Sequence, residues 1–443
     1  MEYVYVGGKP NPIIDYHFPS VNIADNLLIS MIDVLNSSNS ASKSFSFFKS
    51  LYQMHELYKQ HGIKWNTFLD SGGYSIIVGD VKGSQTREFI ERYCTRIIEG
   101  KLIYDYVFSL DIPIFLQEPT YNTKPIIKQF NRESLYQTYS LAAKDEILRN
   151  KLYFVWQFKI KEQYEIWNEL YNELKLNDLV KNRAIGGMVG LRGITQIDFS
   201  PFIAPLYKCL FDYINGDTSI PFRCHTLGIY IQHDRFFLWF LEKLFNYYLN
   251  VDNCHLTYDS VNYMRTAQLK ARDMEIFSFN GKTLDKYQHL NCPDSIYKLV
   301  YNDLYDNILM EIDNINNNRK MKDVGAFTPL AIYSNRQLDL FFNYVIDKYN
   351  ILDSFLKGNL KSELVNLSVL YPTIFTSRRI DCIKMNFKKC WDFHQWWIKD
   401  RKIDSLNELM YKFINDIKFP SSLAETNQIA DINILDHFQG LIN

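Results

Sequence analysis

The chain lacks a charge surplus. Its 49 Lys and Arg stand against 50 Asp and Glu, a net charge of −1 over 443 residues. A uniformly basic surface is thereby excluded, and any nucleic-acid binding must come from a local patch. A disulfide pattern is also missing. The seven cysteines (94, 209, 224, 254, 292, 382 and 390) are scattered and odd in number. They read as free thiols in a reducing compartment. No stretch is suited to cross a bilayer: the most apolar run, Phe236 to Phe245, is short and carries Glu242 and Lys243. Met1-Glu2-Tyr3-Val4-Tyr5-Val6 shows no basic segment leading into an apolar one, so no secretory signal is expected. These absences predict a cytoplasmic protein (in the host cytoplasm if viral) with no membrane partner. The chain has no His-x-His or comparable His/Asp cluster, which argues against a metal-dependent barrel hydrolase.

What is present points to a large core, with 47% hydrophobic and 22% charged residues. Six short apolar segments each end in a polar or glycine signature. They are Phe68-Leu69-Asp70-Ser71-Gly72-Gly73-Tyr74, Phe108-Ser109-Leu110-Asp111, Val155-Trp156-Gln157, Ile185-Gly186-Gly187-Met188, Cys224-His225-Thr226-Leu227-Gly228 and Leu256-Thr257-Tyr258-Asp259-Ser260. The signatures recur at intervals of 41, 46, 30, 38 and 34 residues. One βα unit needs about 30 residues or more, and polar groups at strand C-termini build the active site of a (β/α)₈ barrel. The expected fold is therefore α/β, a (β/α)₈ TIM barrel over residues 1–358. Residues 359–443 contain no further strand-plus-signature unit and are expected to form a mostly helical extension. Asn36 to Ser42 reads as a loop, residues 44–60 as a helix, Asn314 to Lys322 as an exposed connection, and 336–350 as a helix. Usage rich in Asn, Ile, Lys, Tyr and Phe suits an AT-rich genome, such as that of a phage or a low-GC bacterium.

Three strand ends offer a carboxylate: Asp70, Asp111 and Asp259. In Asp70-Ser71-Gly72-Gly73-Tyr74 the glycines let the backbone approach a ligand, the acid can exchange a proton, and the tyrosine can stack on a planar ring. The same residues also suit an ordinary capped turn. Asp111 could equally be a cap or salt-bridge partner, Gln157 a satisfied core amide, and His225 a hydrogen-bonded interior histidine. From Ser377 to Lys402, eight basic residues, among them Arg378, Arg379, Lys388 and Lys389, face three acids. Trp391, Phe393, Trp396 and Trp397 are interleaved with them. Basic side chains neutralise phosphates and rings stack on unpaired bases. A helix burying its tryptophans beneath a solvated basic face gives the same pattern.

The six motifs, in this order, resemble those of tRNA-guanine transglycosylases. The Asp70–Tyr74 segment is similar to the family's DSGGY/Q signature. Ser109-Leu110-Asp111-Ile112-Pro113, His225-Thr226-Leu227-Gly228 and Tyr258-Asp259-Ser260-Val261-Asn262-Tyr263 resemble segments of the archaeal, archaeosine-type members. The likeness covers about the first 350 residues. It implies a base exchange. Asp259 matches the nucleophile that attacks C1′ of a guanosine, and Asp70 the general acid/base. Asp111, Gln157 and the Gly187 N–H match groups on the edge of the base. Ser71, Gly72 and Gly186 belong to the same pocket, and Tyr74 and Met188 match its two faces. His225 falls among these base-pocket positions.

Two departures matter. The tRNA enzymes hold zinc with Cys-x-Cys-x-x-Cys and a distant His. Here the matching stretch is Leu290-Asn291-Cys292-Pro293-Asp294-Ser295, with Ser334 at the His position, so no metal or other cofactor is expected. His289 is the one conceivable substitute ligand. The basic segment after the nucleophile keeps little beyond Arg265. With the archaeal flavour and the composition, these departures resemble the DNA-guanine transglycosylases of phages and bacteria. That resemblance implies a partner DNA whose guanine is flipped out and exchanged for free 7-cyano-7-deazaguanine (preQ0) or a relative, shielding phage DNA from restriction. Arg265, Arg378, Arg379, Lys388, Lys389 and Trp396 are the expected nucleic-acid contacts. The same chemistry on tRNA, and an inactive nucleic-acid-binding barrel, are the alternatives.

Overall fold

The computed structural model describes residues 1–8, 26–35, 40–60, 62, 65–72, 87–111, 125–157, 161–175, 182–186, 200–216, 218–229, 231–260, 271–302, 305–317 and 326–415. Eight parallel strands close into a barrel in chain order. They are β1 (Glu2–Gly8), β2 (Asn26–Ser30), β3 (Asn66–Asp70), β4 (Tyr106–Phe108), β5 (Leu152–Gln157), β6 (Asn182–Gly186), β7 (Phe222–Thr226) and β8 (Cys254–Asp259). β1 pairs with β8, placing Val4 beside Asp259, and β2 places Ser30 beside Asp70. The fold is the expected (β/α)₈ barrel with a helical C-terminal region. The described residues of all six signatures sit at or just past strand C-termini.

The two-residue period of a strand explains why. Val4, Leu28, Phe68, Phe108, Tyr153 and Ala184 pack together inside the barrel. The residues between them, such as Leu69, Phe154, Trp156, Ile185 and Leu256, join the larger core beneath the helices. Asp70 lies two residues beyond Phe68, on the same face of the pleat. Barrel closure thus turns interior-facing strand ends toward a common mouth.

The wall helices are α1 (Ser40–Gln60), α2 (Arg87–Glu99), α3 (Pro125–Lys144), α4 (Lys161–Glu173), α5 (Ser200–Ile214), α6 (Gln232–Leu249) and α7 (Thr328–Lys348). Ser40 to Ser42 open α1 instead of belonging to a loop, and α7 starts earlier than its periodicity suggests. Between β8 and α7 lies a hairpin of β9 (Glu275–Phe279) and β10 (Leu284–Gln288) that the sequence reading did not anticipate. Asn314 to Asn316 end a helix, Tyr305–Asn316, where an exposed connection was expected.

Past residue 358 the chain forms a helix over Lys361–Leu370, then α8 (Ser377–Lys399) and α9 (Ile403–Asn415). These helices share the barrel's core. Phe387 packs edge-on against Phe240 at 4.5 Å, Phe393 stacks on Tyr207 at 4.9 Å, and Trp397 stacks on Tyr248 at 4.6 Å. Trp396 is only 6% exposed, rests on Phe211, and donates its indole N–H to the Lys402 carbonyl. The expected base-stacking role of Trp396 is therefore corrected: its ring belongs to the core. Trp396→Ala should cost about 3–5 kcal/mol in denaturant titrations, as other buried Trp truncations do, whereas Lys388→Ala should stay within about 0.5 kcal/mol. Arg379 spends its guanidinium on the Thr373 and Ile374 carbonyls. Arg378 and Lys388 are exposed, and Lys389 is half-buried. Among the described residues, no helix is long and apolar enough to cross a membrane.

Candidate active site

Asp70 is the last residue of β3, and its main-chain carbonyl accepts a hydrogen bond from the Met31 N–H at 3.0 Å. Its carboxyl is held well above the ordinary 3.8, at about 6. Burial is the main cause and the negative charge of Asp259 the second; the Gly72 and Ser71 N–H groups oppose both by binding the carboxylate. Ser71 and Gly72 thus turn their N–H groups onto Asp70. Gly72 reaches this geometry with φ +77°, a conformation that suits glycine.

Asp259 ends β8 and is 14% exposed. Its Oδ1 accepts the Gly228 N–H at 2.9 Å and lies 3.3 Å from His225 Nε2. Gly228 also has φ +77°. The opposite ring nitrogen, His225 Nδ1, is 2.8 Å from Thr257 Oγ1. An ionised Asp259 needs a donor facing it, so the proton belongs on Nε2 and the Thr257 hydroxyl donates to Nδ1. His225 is fully buried against the Phe108 ring (5.0 Å between ring centres) and the Phe68 ring (5.8 Å). It therefore serves Asp259 rather than a base in the mouth, which corrects its expected role. Among the described residues, Asp259 Oδ2 takes no hydrogen bond. One oxygen is thus gripped by two donors and the other by none among the described residues.

Asp111 lies three residues past β4 and is 3% exposed. Its charge and that of Asp70 both help push the buried Tyr93 phenol up, behind burial itself. Tyr93 reaches in from α2 and donates to the Phe108 carbonyl. The strand-end loop after β4 is pinned as well: Ser109 Oγ accepts the Val155 N–H at 3.0 Å, and Ser134 donates to the Leu110 carbonyl at 2.6 Å. Gln157 ends β5 and Gly186 ends β6. Asp70, Ser71, Gly72, Asp111, Gln157, Gly186 and Asp259 are therefore gathered at the C-terminal ends of the strands. Tyr74, Gly187, Met188 and Arg265 lie outside the described residues.

Sequence reasoning did not assign Gly228, Thr257 and Tyr93 to the site. Gly228 had a readable signal, since it follows His225 at a strand end much as Gly72 follows Asp70. Thr257 and Tyr93 had none, because a threonine in a strand and a tyrosine in a helix are ordinary. At the position of the zinc motif the residues do not fit that metal. Ser334 Oγ accepts the Phe277 N–H at 2.9 Å and donates to the Glu275 carbonyl at 3.2 Å. His289 Nδ1 contacts the Ala271 carbonyl at 2.6 Å, leaving Cys292 the one thiol at this position.

No protein-family model matches this chain, and no curated protein matches it either.

Proposed function

We propose that this protein is a base-exchange transglycosylase. It would replace guanine in DNA with a 7-deazaguanine of the preQ0 type through a covalent glycosyl-aspartate. The observation that carries the proposal is a pair of carboxylates from β3 and β8 in opposite environments at one barrel mouth. Asp70 is biased toward its protonated form, while Asp259 is fixed through one oxygen.

The chemistry then balances. Asp259 Oδ2 attacks C1′ as the C1′–N9 bond breaks, and the bonding pair leaves with guanine. The Asp70 carboxyl supplies the proton that guanine needs. Guanine departs, the deazaguanine enters, and the Asp70 carboxylate removes its N9 proton. N9 then displaces Asp259 from C1′, and two inversions give net retention, as in retaining glycosidases. A group with a pKa near 6 can give and take a proton at neutral pH with little penalty either way. Asp111, Gln157, Gly186 and the Gly187 N–H would hold the polar edge of the base. Tyr74 and Met188 would cover its faces.

We place DNA before tRNA because Cys292 is the one cysteine in the stretch that resembles the zinc motif and Arg265 the main remnant of the anticodon-loop segment. Offered DNA and tRNA in parallel with labelled preQ0, the protein is expected to label DNA and make it resistant to restriction cleavage at modified guanines. Labelling confined to tRNA would transfer the same chemistry to the alternative substrate. No label in either would favour the inactive, nucleic-acid-binding barrel.

A further inference from the structure

The residue before the nucleophile is tied to the outer wall. Tyr258 points away from the mouth, is fully buried, and donates its hydroxyl to Asp339 Oδ2 on α7. The other oxygen, Asp339 Oδ1, accepts from Arg235 Nη2 at 2.7 Å and Nε at 3.2 Å. Arg235, on α6, also donates to Asn335 Oδ1 at 2.8 Å and to the Asn335 carbonyl at 2.7 Å. Its guanidinium lies 5.4 Å from the centre of the Tyr258 ring. The Asn335 amide in turn donates to the Ala331 carbonyl at 2.9 Å. On the other side, the Tyr3 ring packs against Tyr258 at 5.3 Å, and the Tyr3 hydroxyl donates to the Ser260 carbonyl at 3.2 Å. Both neighbours of Asp259 are therefore held by buried polar contacts that do not enter the mouth.

We propose that Tyr258, Asp339 and Arg235 form a brace that sets the height and rotation of Asp259, so that α6 and α7 control the glycosyl-transfer step from behind the barrel. Successive side chains of a strand point to opposite faces. Rolling the end of β8 about its axis must therefore move Tyr258 and Asp259 together. A ring fixed at its hydroxyl resists that roll, and a ring held by packing alone resists it less. Arg235 makes the hydroxyl contact directional, because it grips Asp339 Oδ1 through two nitrogens and so orients Oδ2 toward Tyr258. A nucleophile displaced by about 1 Å can lose about 10²-fold in rate. Asp339 and Arg235 are positioning residues here, as is Tyr258.

The brace rests on the base-exchange proposal for its kinetic readout, but not for its second readout. Tyr258→Phe keeps the ring and removes the contact to Asp339. Single-turnover formation of the glycosyl-enzyme should slow about tenfold or more, with KM for the free base changed less than about twofold. Independently of catalysis, a displaced Asp259 should let the Asp70 titration midpoint fall, read by carboxyl NMR on the full-length variant. A merely structural contact would lower the melting temperature and move neither readout. If the wild type transfers base, an unchanged single-turnover rate in Tyr258→Phe overturns the brace. If the wild type transfers none, the base-exchange proposal fails and the Asp70 midpoint decides: a fall supports the brace and no change overturns it. Asp339→Leu, which leaves Arg235 buried beside an apolar group, should reproduce the Tyr258→Phe effect in larger form; should it fail to fold, Tyr258→Phe alone decides.

Discussion

Asp259→Asn is expected to abolish the glycosyl-enzyme, lowering exchange by at least about 10⁴-fold, the scale on which removing a nucleophile acts in other covalent mechanisms. The geometry allows this loss without a loss of fold. An asparagine oxygen can still accept the Gly228 N–H and the His225 Nε2–H, which now converge on Oδ1. Its NH₂ would then occupy the place of Oδ2, where a nucleophilic lone pair is required. The variant should therefore melt near the wild type, bind nucleic acid, and give no covalent species on denaturing gels with guanine-containing DNA. A second consequence does not involve catalysis. The charge of Asp259 is the second cause of the raised Asp70 pKa. Removing it should lower the Asp70 midpoint below about 6, toward the ordinary range, though burial still holds it above 3.8. Normal exchange by Asp259→Asn would refute the nucleophile, and an unmoved Asp70 midpoint would refute the coupling between the two carboxylates.

The barrel was legible because its six later strands each carry a polar or glycine signature at one end. β1 and β2 end in Gly8 and Ser30, which look like any loop entrance, and neither strand was singled out. The β9–β10 hairpin did carry a local signal, Asn280-Gly281 at its turn, which was passed over: Gly281 has φ +88°, and Asn280 Oδ1 accepts the Lys282 and Thr283 N–H groups. What the sequence could not show is that Ser334 and Gln337 on α7, far along the chain, accept the Phe277 and Phe279 N–H groups. The C-terminal helices show the ambiguity of an amphipathic aromatic stretch. Arg378 and Trp396 share one helix, but the tryptophan faces α5 while the arginine is exposed. Spacing could not separate a stacking ring from a packed one; the partner Phe211 does. At the mouth, residue types singled out Asp70 and Asp259 as candidates. Which oxygen of Asp259 is bound, and how far the Asp70 carboxyl is pushed up, depends on N–H groups and charges that only the closed barrel brings together.

Asp70→Asn should produce the second large effect and a stability gain along with it. Exchange should fall by about 10²–10⁴-fold, the usual worth of a positioned acid and base, and both half-reactions should suffer. In the wild type, formation of the glycosyl-enzyme needs the Asp70 proton and should weaken as pH rises through about 6. Attack by the incoming base needs the carboxylate and should strengthen over the same range. Asparagine can neither give nor take that proton, so both inflections should vanish from the variant. Stability should move the other way. The folded pKa of about 6 lies above the ordinary 3.8, so the folded state binds this proton more tightly than the unfolded chain. Its contribution is fully present below about pH 4 and is lost as pH climbs through about 6. Two units correspond to about 3 kcal/mol; partial solvent access and the lost Ser71 or Gly72 contact reduce the expected gain to about 1–2 kcal/mol. Asn at this position is neutral throughout. Denaturant titrations should therefore show Asp70→Asn gaining stability over the wild type at about pH 7.5 relative to their difference at about pH 4. A variant no more stable at the higher pH would mean that Asp70 ionises freely in the folded protein. It could not then hold the proton that guanine must receive on leaving.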